Sequence, residues 1–282
     1  GSEARADLTL YFTHTPTDIE VMRVVPISAP LGANILDVDV TRLGDNQWQE
    51  INHLFLQYRV LAFPNQTLTP EQHMAFASRW GELVQHPYAS MNDYPGLIEL
   101  KNTGKTRDVN QHWHSDMTYN PAPPKLTMLY ALEAPEIGGD TAFANQIIAY
   151  NELSEGLKST LANLTAVHSA AGLAALFKAD SSEIPRASHP VIRRHDETGE
   201  KALYVCRAFT QRFDGWSRSE SQGLLETLFK QSARPEYQAR HRWQPGDLLM
   251  WDNRAVMHYA VHDHGDEPRL IHRLQVQGLV PV

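Results

Sequence analysis

The chain has 282 residues, 42% of them hydrophobic, which is enough to bury the core of one large domain or two small ones. Its net charge of −8 comes without blocks of like charge, which disfavours a nucleic-acid-binding protein and favours a small-molecule partner. The single cysteine, Cys206, excludes an intrachain disulfide framework and a cysteine-rich metal site, so a metal would need His, Asp or Glu ligands.

The sequence contains no run of about 18 apolar residues, and its first twenty residues lack the regions of a signal peptide. We therefore expect no membrane association and a cytoplasmic location. Residues 1–282 are expected to form a single domain, with a flexible segment over 1–20. An even-numbered homo-oligomer, a dimer or a tetramer, is expected because most protein oligomers are symmetric assemblies of one chain.

Short strands and two helices are predicted for the first half of the chain. The predictions are edge strands within 21–40, a helix over 46–58, a buried strand over 59–63, a second helix from 70 to about 80 and a strand over 97–100. The second helix has the clearest start, because Thr69 is a good N-cap residue, Pro70 takes the first helical position and Gln72 completes a capping box.

Strands predominate in the second half. They are predicted over 125–131, 141–145, 202–206, 247–252 and 270–280, with helices over 147–161 and from 217 to about 231. The segment 168–190 is rich in small residues and poorly patterned, so we interpret it as a lid loop with one short helix. Many short strands with a few helices outside them indicate a mainly β fold, a double-sheet sandwich or jelly roll with flanking helices.

One group of residues has the composition of a metal site. Mononuclear non-haem iron(II) oxygenases hold their metal with two imidazoles and one carboxylate on one face of the ion. His114 and Asp116 supply two of the three, and an extended segment would point both side chains the same way. His258 is predicted on or just beyond a turn beside them. Among fourteen histidines such a triplet can arise by chance, so by themselves these residues could equally be a hydrogen-bonded pair and a core histidine.

Three motifs in a fixed order make the pattern specific. They are WHSD at 113–116, GGDT at 138–141 and WDNRAVMHYA at 251–260, with RHRWQPGD at 240–247 ahead of the last. This series resembles the signature of the TauD/TfdA (taurine dioxygenase) family of Fe(II)/2-oxoglutarate-dependent dioxygenases, and the resemblance runs from about residue 25 to 280. It implies a double-stranded β-helix, the clavaminate synthase-like jelly roll, with the metal in its mouth.

The resemblance also implies the cofactors and where they bind. Fe(II) would be held by the three candidate ligands, with 2-oxoglutarate and O2 as co-substrates. Thr141 and Arg269 match the positions that hold the distal carboxylate of 2-oxoglutarate, which suits a guanidinium because it can grip a carboxylate bidentately. Arg273 matches a position close to both the inner carboxylate of 2-oxoglutarate and an anionic group of the prime substrate. Without their position relative to the motifs, these two arginines would more often be expected to form surface ion pairs.

Substrate residues are implied less specifically. In taurine-specific members a sulfonate is held by a histidine, an asparagine and an arginine, and His86, Asn110 and Arg273 fall on those positions. Ala89 stands where a tyrosine assists, although Tyr88 is adjacent. We therefore expect a small anionic substrate, with taurine or another sulfonate as the leading candidate and an aryloxyalkanoate or alkyl sulfate as alternatives.

The implied reaction is hydroxylation of a substrate C–H bond with succinate and CO2 as co-products, and release of sulfite if the substrate is a sulfonate. Two hypotheses from other classes remain open. HWHSD at 112–116 superficially resembles the start of a binuclear zinc hydrolase motif, but Met117 follows where a histidine would be required. The other is a non-catalytic jelly-roll binding protein, which would turn over nothing.

Overall fold

The computed structural model describes residues 22–86, 89–103, 105, 111–177 and 184–282. The segment 1–20 and two substrate candidates, Tyr88 and Asn110, lie outside the described residues. Within the described ranges, none of the helices is both long and apolar enough to cross a membrane.

The described residues form fifteen strands and six α-helices. The strands are β1 (Arg23–Pro26), β2 (Ala33–Leu36), β3 (Val60–Phe63), β4 (Ile98–Asn102), β5 (Leu126–Glu133), β6 (Thr141–Asn145), β7 (Thr165–Ser169), β8 (Arg186–Pro190), β9 (Ile192–Arg194), β10 (Lys201–Leu203), β11 (Thr210–Phe213), β12 (Gln238–His241), β13 (Leu248–Asp252), β14 (Val256–Ala260) and β15 (Arg269–Val276). The helices are α1 (Asp45–Tyr58), α2 (Pro70–Ala77), α3 (Gln146–Asn151), α4 (Glu155–Leu161), α5 (Ala171–Phe177) and α6 (Arg218–Ser232).

Two facing sheets make the framework of the fold. The larger has seven strands in the order β1-β2-β3-β13-β5-β15-β4, and only β2 and β3 pair in parallel. A three-stranded antiparallel sheet, β12-β6-β14, packs against it through a buried apolar layer that includes Phe143, Leu249, Val256 and Ile271. The predicted mainly β architecture with helices outside the sheets is therefore confirmed.

Helices α1 and α2 cover the outer face of the large sheet. Ile51 and Phe55 from α1 and Phe76 from α2 are almost fully buried in the core on that face. Helix α2 begins as predicted, because the Thr69 side chain accepts a hydrogen bond from the Gln72 backbone N–H and the Gln72 side chain accepts one from the Thr69 N–H.

Strand β15 shows how one strand serves both faces. Leu274 and Val276 pack under the helices, whereas Ile271 packs between the sheets. Because strand side chains alternate, Arg273 and Gln275 share the face of Ile271 and point into the space between the sheets. The most polar face of the last strand is thus directed at the interior of the jelly roll.

Several predicted elements differ from the structure. The helical stretch predicted over 147–161 is two helices, because the Ser154 side chain caps a new helix by accepting a hydrogen bond from the Leu157 N–H. The strand predicted over 202–206 is shortened to β10. The short strands β7, β8, β9, β11, β12 and β14 were not predicted, because runs of three to five residues carry too little periodicity to be distinguished from loops.

The segment 168–190, interpreted as a lid loop, contains regular structure at both ends. It starts in β7, continues through α5 and ends in β8, which pairs with β7 in antiparallel fashion. Residues 178–183 lie outside the described residues. The role of this segment as a lid stays a prediction.

A buried ion cluster anchors the turn between β13 and β14. Asp252, with a side chain that is 0% exposed, accepts two hydrogen bonds from the Arg254 guanidinium at 2.8 and 3.0 Å and one from His195 Nε2 at 2.7 Å. Arg254 also pairs with Asp196 and Glu197. Burial alone would raise the pKa of Asp252, but the attraction of Arg254 and His195 holds it well below its usual range.

Candidate metal centre

The three candidate ligands come together. Nε2 of His114 and Nε2 of His258 each lie 3.5 Å from Oδ1 of Asp116, and the three ligand atoms lie within 4.8 Å of one another. No other such group of His, Cys, Asp or Glu is found in the described part of the chain. All three side chains are buried, so the cluster is not an accidental meeting of surface groups.

The backbone that carries the ligands differs from the prediction. His114 is not in a strand but forms an isolated bridge with His258, through backbone hydrogen bonds of 3.1 and 2.8 Å. Asp116 starts a turn, in which Met117 adopts a left-handed conformation with φ of 50°, so the extended segment expected there ends at the bridge. His258 lies in the middle of β14 and not at a turn, because the ion cluster closes the β13–β14 turn earlier.

The protonation of the imidazoles suits a metal. His114 Nδ1 lies 2.7 Å from the backbone oxygen of His112 and therefore carries the hydrogen, which leaves the lone pair of Nε2 facing Asp116. Burial, followed by the nearby His114, lowers the pKa of His258 to about 3, so this ring is neutral near pH 7. Two imidazoles and a carboxylate are the donor set that Fe(II) takes in facial-triad sites.

Asp116 is held by its second oxygen. Oδ2 accepts a hydrogen bond of 2.6 Å from the Thr127 hydroxyl and one of 3.1 Å from Gln275 Nε2. Asn253 supports the same group, since its Nδ2 donates to Thr127 Oγ1 and its Oδ1 accepts from the Asp116 N–H. Burial would raise the pKa of Asp116, but His258, His114 and Arg273 together hold it below its usual range. The carboxylate is therefore ionised, and Oδ1 is the atom presented to the two histidines.

A cavity of about 250 Å³ adjoins the ligands. Its walls include Asp116 and His258 together with Thr141, Arg269 and Arg273, so two of the candidate metal ligands and the predicted co-substrate residues line one space. With two guanidinium groups and a single ligand carboxylate among these residues, the cavity is suited to a small anion.

Thr141 is oriented to donate. Its hydroxyl oxygen accepts a hydrogen bond of 3.0 Å from the Trp243 indole and one of 3.3 Å from Arg269 Nη2. Because both lone pairs are used, the hydroxyl hydrogen is the part of the group available to an acceptor in the cavity. The Arg269 guanidinium, 5.4 Å from the centre of the Trp243 ring, is fixed beside it by the same tryptophan.

The predicted substrate residues are only partly described. Arg273 lines the cavity, and its Nε makes no hydrogen bond to the described residues. His86 is half-buried, and its Nε2 lies 3.1 Å from Gln275 Oε1. Burial and the nearby Arg273 lower the pKa of His86. Tyr88 and Asn110, outside the described residues, stay predictions.

The structure places four further residues around the site that the sequence did not single out. Gln275 could have been found from strand alternation, since it lies two residues after Arg273 on the same face. Asn253 and Trp243 stand inside recognised motifs. Thr127 gave no signal, because a threonine in a β-strand is ordinary. Trp251, the first residue of the motif at 251–260, is 1% exposed, and its ring lies 4.6 Å from that of His258.

The family model described as taurine catabolism dioxygenase TauD, TfdA family, matches residues 23–275. The chain belongs to this family. TauD/TfdA membership makes it a non-haem iron dioxygenase that uses Fe(II), 2-oxoglutarate (alpha-ketoglutarate) and O2 and acts on a small molecule. The zinc hydrolase hypothesis is wrong, because the chain has the jelly roll of this family and the side chain of His112 is exposed, away from the three ligands. The hypothesis of a non-catalytic binding protein is also wrong, because the family is one of dioxygenases.

Relatives of the chain within this family differ in the substrates that their names give. The alpha-ketoglutarate-dependent sulfate ester dioxygenase of Pseudomonas putida is 35% identical over 274 residues, which cover 92% of this chain and 90% of that protein. The (S)-phenoxypropionate/alpha-ketoglutarate-dioxygenase of Sphingobium herbicidovorans is 32% identical, covering 90% of this chain and 94% of that protein. A taurine dioxygenase crystal structure from Burkholderia xenovorans has a TM-score of 0.82 and 34% identity, covering 93% of this chain and 91% of that one.

Proposed function

We propose that this TauD/TfdA dioxygenase hydroxylates a small organosulfur anion, with Fe(II) bound by His114, Asp116 and His258. The observation that carries the proposal is the convergence of these three ligand atoms beside a cavity that also contains Thr141 and Arg269. These three ligands would hold Fe(II) and leave coordination positions open for two co-substrates.

Thr141, Arg269 and Arg273 bind 2-oxoglutarate in this proposal. Arg269 and the Thr141 hydroxyl hold the distal carboxylate, since both face the cavity and are linked to each other. Arg273, closer to Asp116, neutralises the inner carboxylate and the anionic group of the prime substrate. When bound, Fe(II) with 2-oxoglutarate and O2 supplies the oxidising chemistry, in which one oxygen atom enters succinate and the other enters the substrate C–H bond.

The protein supplies orientation and exclusion of water. Trp251 and Phe143 pack beside His258, with ring centres 4.6 and 6.3 Å from the imidazole, and both are almost fully buried. They keep the ligand histidine dry and in one orientation. On the other side, the Phe209 ring lies edge-on to His114 with ring centres 5.8 Å apart.

A sulfonate such as taurine is the leading prime substrate, and an alkyl sulfate ester is the second. His86 and Arg273 favour an anionic substrate. We add Tyr88 and Asn110 to the substrate residues, because the family resemblance implies them. Hydroxylation of the carbon that bears the sulfur group makes an unstable product, which collapses to an aldehyde with sulfite from a sulfonate or sulfate from an ester. The 35% identity to a sulfate ester dioxygenase supports keeping the ester as the second candidate, and the 32% identity to a phenoxypropionate dioxygenase keeps an aryloxyalkanoate as the third.

The test is an anaerobic reconstitution with Fe(II) and 2-oxoglutarate, followed by O2 and one of three probes: taurine, a short-chain alkyl sulfate or an aryloxypropionate. Succinate formed in step with sulfite, sulfate or phenol identifies the substrate class. Asp116→Ala is expected to abolish succinate formation, whereas His112→Ala, which changes the neighbouring exposed histidine, is expected to retain it. Loss of activity in both variants, or turnover that needs no 2-oxoglutarate, would contradict the assignment.

We further propose that the segment 168–190, which contains α5, forms a lid over the site. Leu173 of α5 packs against the cluster of Cys206, Phe209 and Met257, and Phe209 contacts the His114 ring. A single domain, an even-numbered homo-oligomer and a cytoplasmic location also remain proposals. The buried thiol of Cys206 is compatible with a reducing compartment, and analytical ultracentrifugation would give the assembly size.

A further inference from the structure

Gln275 stands between the predicted substrate histidine and a metal ligand, and its side-chain amide contacts both. Its Nε2 lies 3.1 Å from Asp116 Oδ2 and 3.3 Å from Thr127 Oγ1. Its Oε1 lies 3.1 Å from His86 Nε2. The amide therefore spans the gap from His86 to Asp116 with one hydrogen bond at each end.

The chemistry of the partners fixes the direction of both hydrogen bonds. An ionised carboxylate oxygen only accepts, and Thr127 already gives its one hydrogen to the same Oδ2 at 2.6 Å. Both atoms must therefore receive an N–H from Gln275, which places the carbonyl end of the amide toward His86. A carbonyl oxygen only accepts, so Nε2 of His86 carries a hydrogen and Nδ1 is the ring nitrogen left for another partner.

We propose that Gln275 is a positioning residue that keeps His86 protonated at Nε2, so that His86 meets the prime substrate only through Nδ1, and that ties this ring to the carboxylate of Asp116. The proposal rests on the proposed function, since that function makes His86 a substrate residue and Asp116 a metal ligand. The family resemblance supplies neither the role of Gln275, nor the Nε2–H form of His86, nor the link between His86 and Asp116.

The connection has a consequence for binding. Because one rigid amide serves both ends, removing it changes the orientation of His86 and the hydrogen bonding of Asp116 together. Residues that orient a metal ligand through such a hydrogen bond typically change metal affinity by about 10- to 100-fold when replaced. The same coupling must operate in both directions, so a change at His86 is felt at the metal.

Two variants separate this role from a simple supporting contact. Gln275→Leu removes the hydrogen bonds of the amide to Asp116, Thr127 and His86. Thr127→Val removes the hydroxyl that donates to Asp116 Oδ2 and accepts from Gln275 and Asn253, but it leaves the contact between Gln275 and His86 in place. The tautomer of His86 is read from its imidazole nitrogen-15 chemical shifts in the metal-free protein, with the resonance assigned from a His86→Gln sample. Metal affinity is measured separately, by titration of each protein with Mn(II) alone.

We expect the wild type to show the Nε2–H form of His86. Gln275→Leu should lose this preference and bind Mn(II) at least about 10-fold more weakly, whereas Thr127→Val should weaken Mn(II) binding and keep the tautomer. An Nδ1–H form in the wild type, or an unchanged tautomer in Gln275→Leu, would overturn the proposal.

Should Gln275→Leu fail to fold, Gln275→Glu provides the second test. An ionised glutamate still accepts from His86 but has no hydrogen to donate to Asp116, so it should keep the Nε2–H form while weakening Mn(II) binding. Loss of the Nε2–H form in this variant would contradict the proposal. Neither measurement uses 2-oxoglutarate, O2 or a prime substrate, so a wrong substrate assignment would leave both results interpretable.

Discussion

Thr141 illustrates how one hydroxyl can be given a direction by its neighbours. Its oxygen accepts from Trp243 and Arg269, and its hydrogen is left for the cavity. Thr141→Val keeps the shape of the side chain but cannot donate, so we expect 2-oxoglutarate to bind about 10-fold more weakly, the equivalent of roughly 1.4 kcal/mol for one hydrogen bond to a charged group.

The matched control is Thr141→Ser, which keeps the hydroxyl and should bind 2-oxoglutarate nearly as well as the wild type. Affinity can be measured under anaerobic conditions from the visible absorption of the Fe(II) complex with 2-oxoglutarate. Equal affinities for the valine and wild-type proteins would show that this hydroxyl does not bind the co-substrate.

At the residue scale, the residues that belong to spaced motifs could be predicted from the sequence. His114, Asp116 and His258 form the expected cluster, and Thr141, Arg269 and Arg273 line one cavity with it. Thr127 and Gln275 could not be predicted from their type, because a hydrogen bond to a carboxylate depends on which strands become neighbours. The sheet order places β5 beside β15, and this long-range pairing brings both residues to Asp116.

At the element scale, the β13–β14 turn depends on the ion cluster around Asp252. Replacing Asp252 with Asn leaves the buried Arg254 guanidinium without its main counter-charge, and we expect a loss of about 3–5 kcal/mol in the free energy of unfolding. Urea denaturation of the metal-free protein measures this loss in the free energy of unfolding. Asp196→Asn removes a more exposed partner of the same arginine and should cost much less; similar losses for both variants would contradict the assigned roles.

The end of β15 is held by a close approach of two backbones. A Cβ on Gly278 would lie 2.0 Å from the backbone oxygen of Pro123, and backbone atoms cannot move away cheaply. We expect Gly278→Ala to destabilise the protein by about 3 kcal/mol or more, measured by thermal or urea unfolding. Gly223→Ala, in the middle of α6 with open space around it, is the control and should stabilise by up to about 1 kcal/mol.

Elements with strong local signals were predicted well, and those fixed by distant partners were not. Helix α6 begins with a capping box formed by Ser217 and Glu220, both readable from the sequence. The bridge between His114 and His258 has no local signal, because it is created by segments 144 positions apart (258 − 114). The position of α5 is fixed in the same way, through packing on Phe209 and Met257.

At the scale of the whole molecule, buried histidines make stability depend on pH. His73 is buried, and neither ring nitrogen has a hydrogen-bond partner among the described residues. Burial lowers its pKa to about 3, against about 6.5 in an unfolded chain. The unfolded state therefore binds an extra proton between these pH values. The free energy of unfolding has its full value above pH 6.5 and decreases as the pH falls toward 3.

We accordingly expect the melting temperature of the metal-free protein to fall as the pH is lowered from 7 to 5. His73→Leu removes one of the responsible groups, so the slope of melting temperature against pH should be shallower for this variant. Burial also lowers the pKa of His168 to about 3, so part of the slope should remain. An identical slope in His73→Leu and the wild type would show that His73 does not contribute.

The order of the strands has a consequence for how the protein is made. β15 is the last strand in the sequence, yet it lies between β5 and β4 in the interior of the seven-stranded sheet. It carries Arg269, Arg273 and Gln275, and His258 precedes it by only eleven residues. During synthesis β5 and β4 must wait with an open slot between them. Until β15 fills it, the cavity lacks both guanidinium groups and Asp116 lacks its hydrogen bond from Gln275. The cavity proposed for 2-oxoglutarate is therefore completed by the last of the described strands, after all three candidate metal ligands have already been translated.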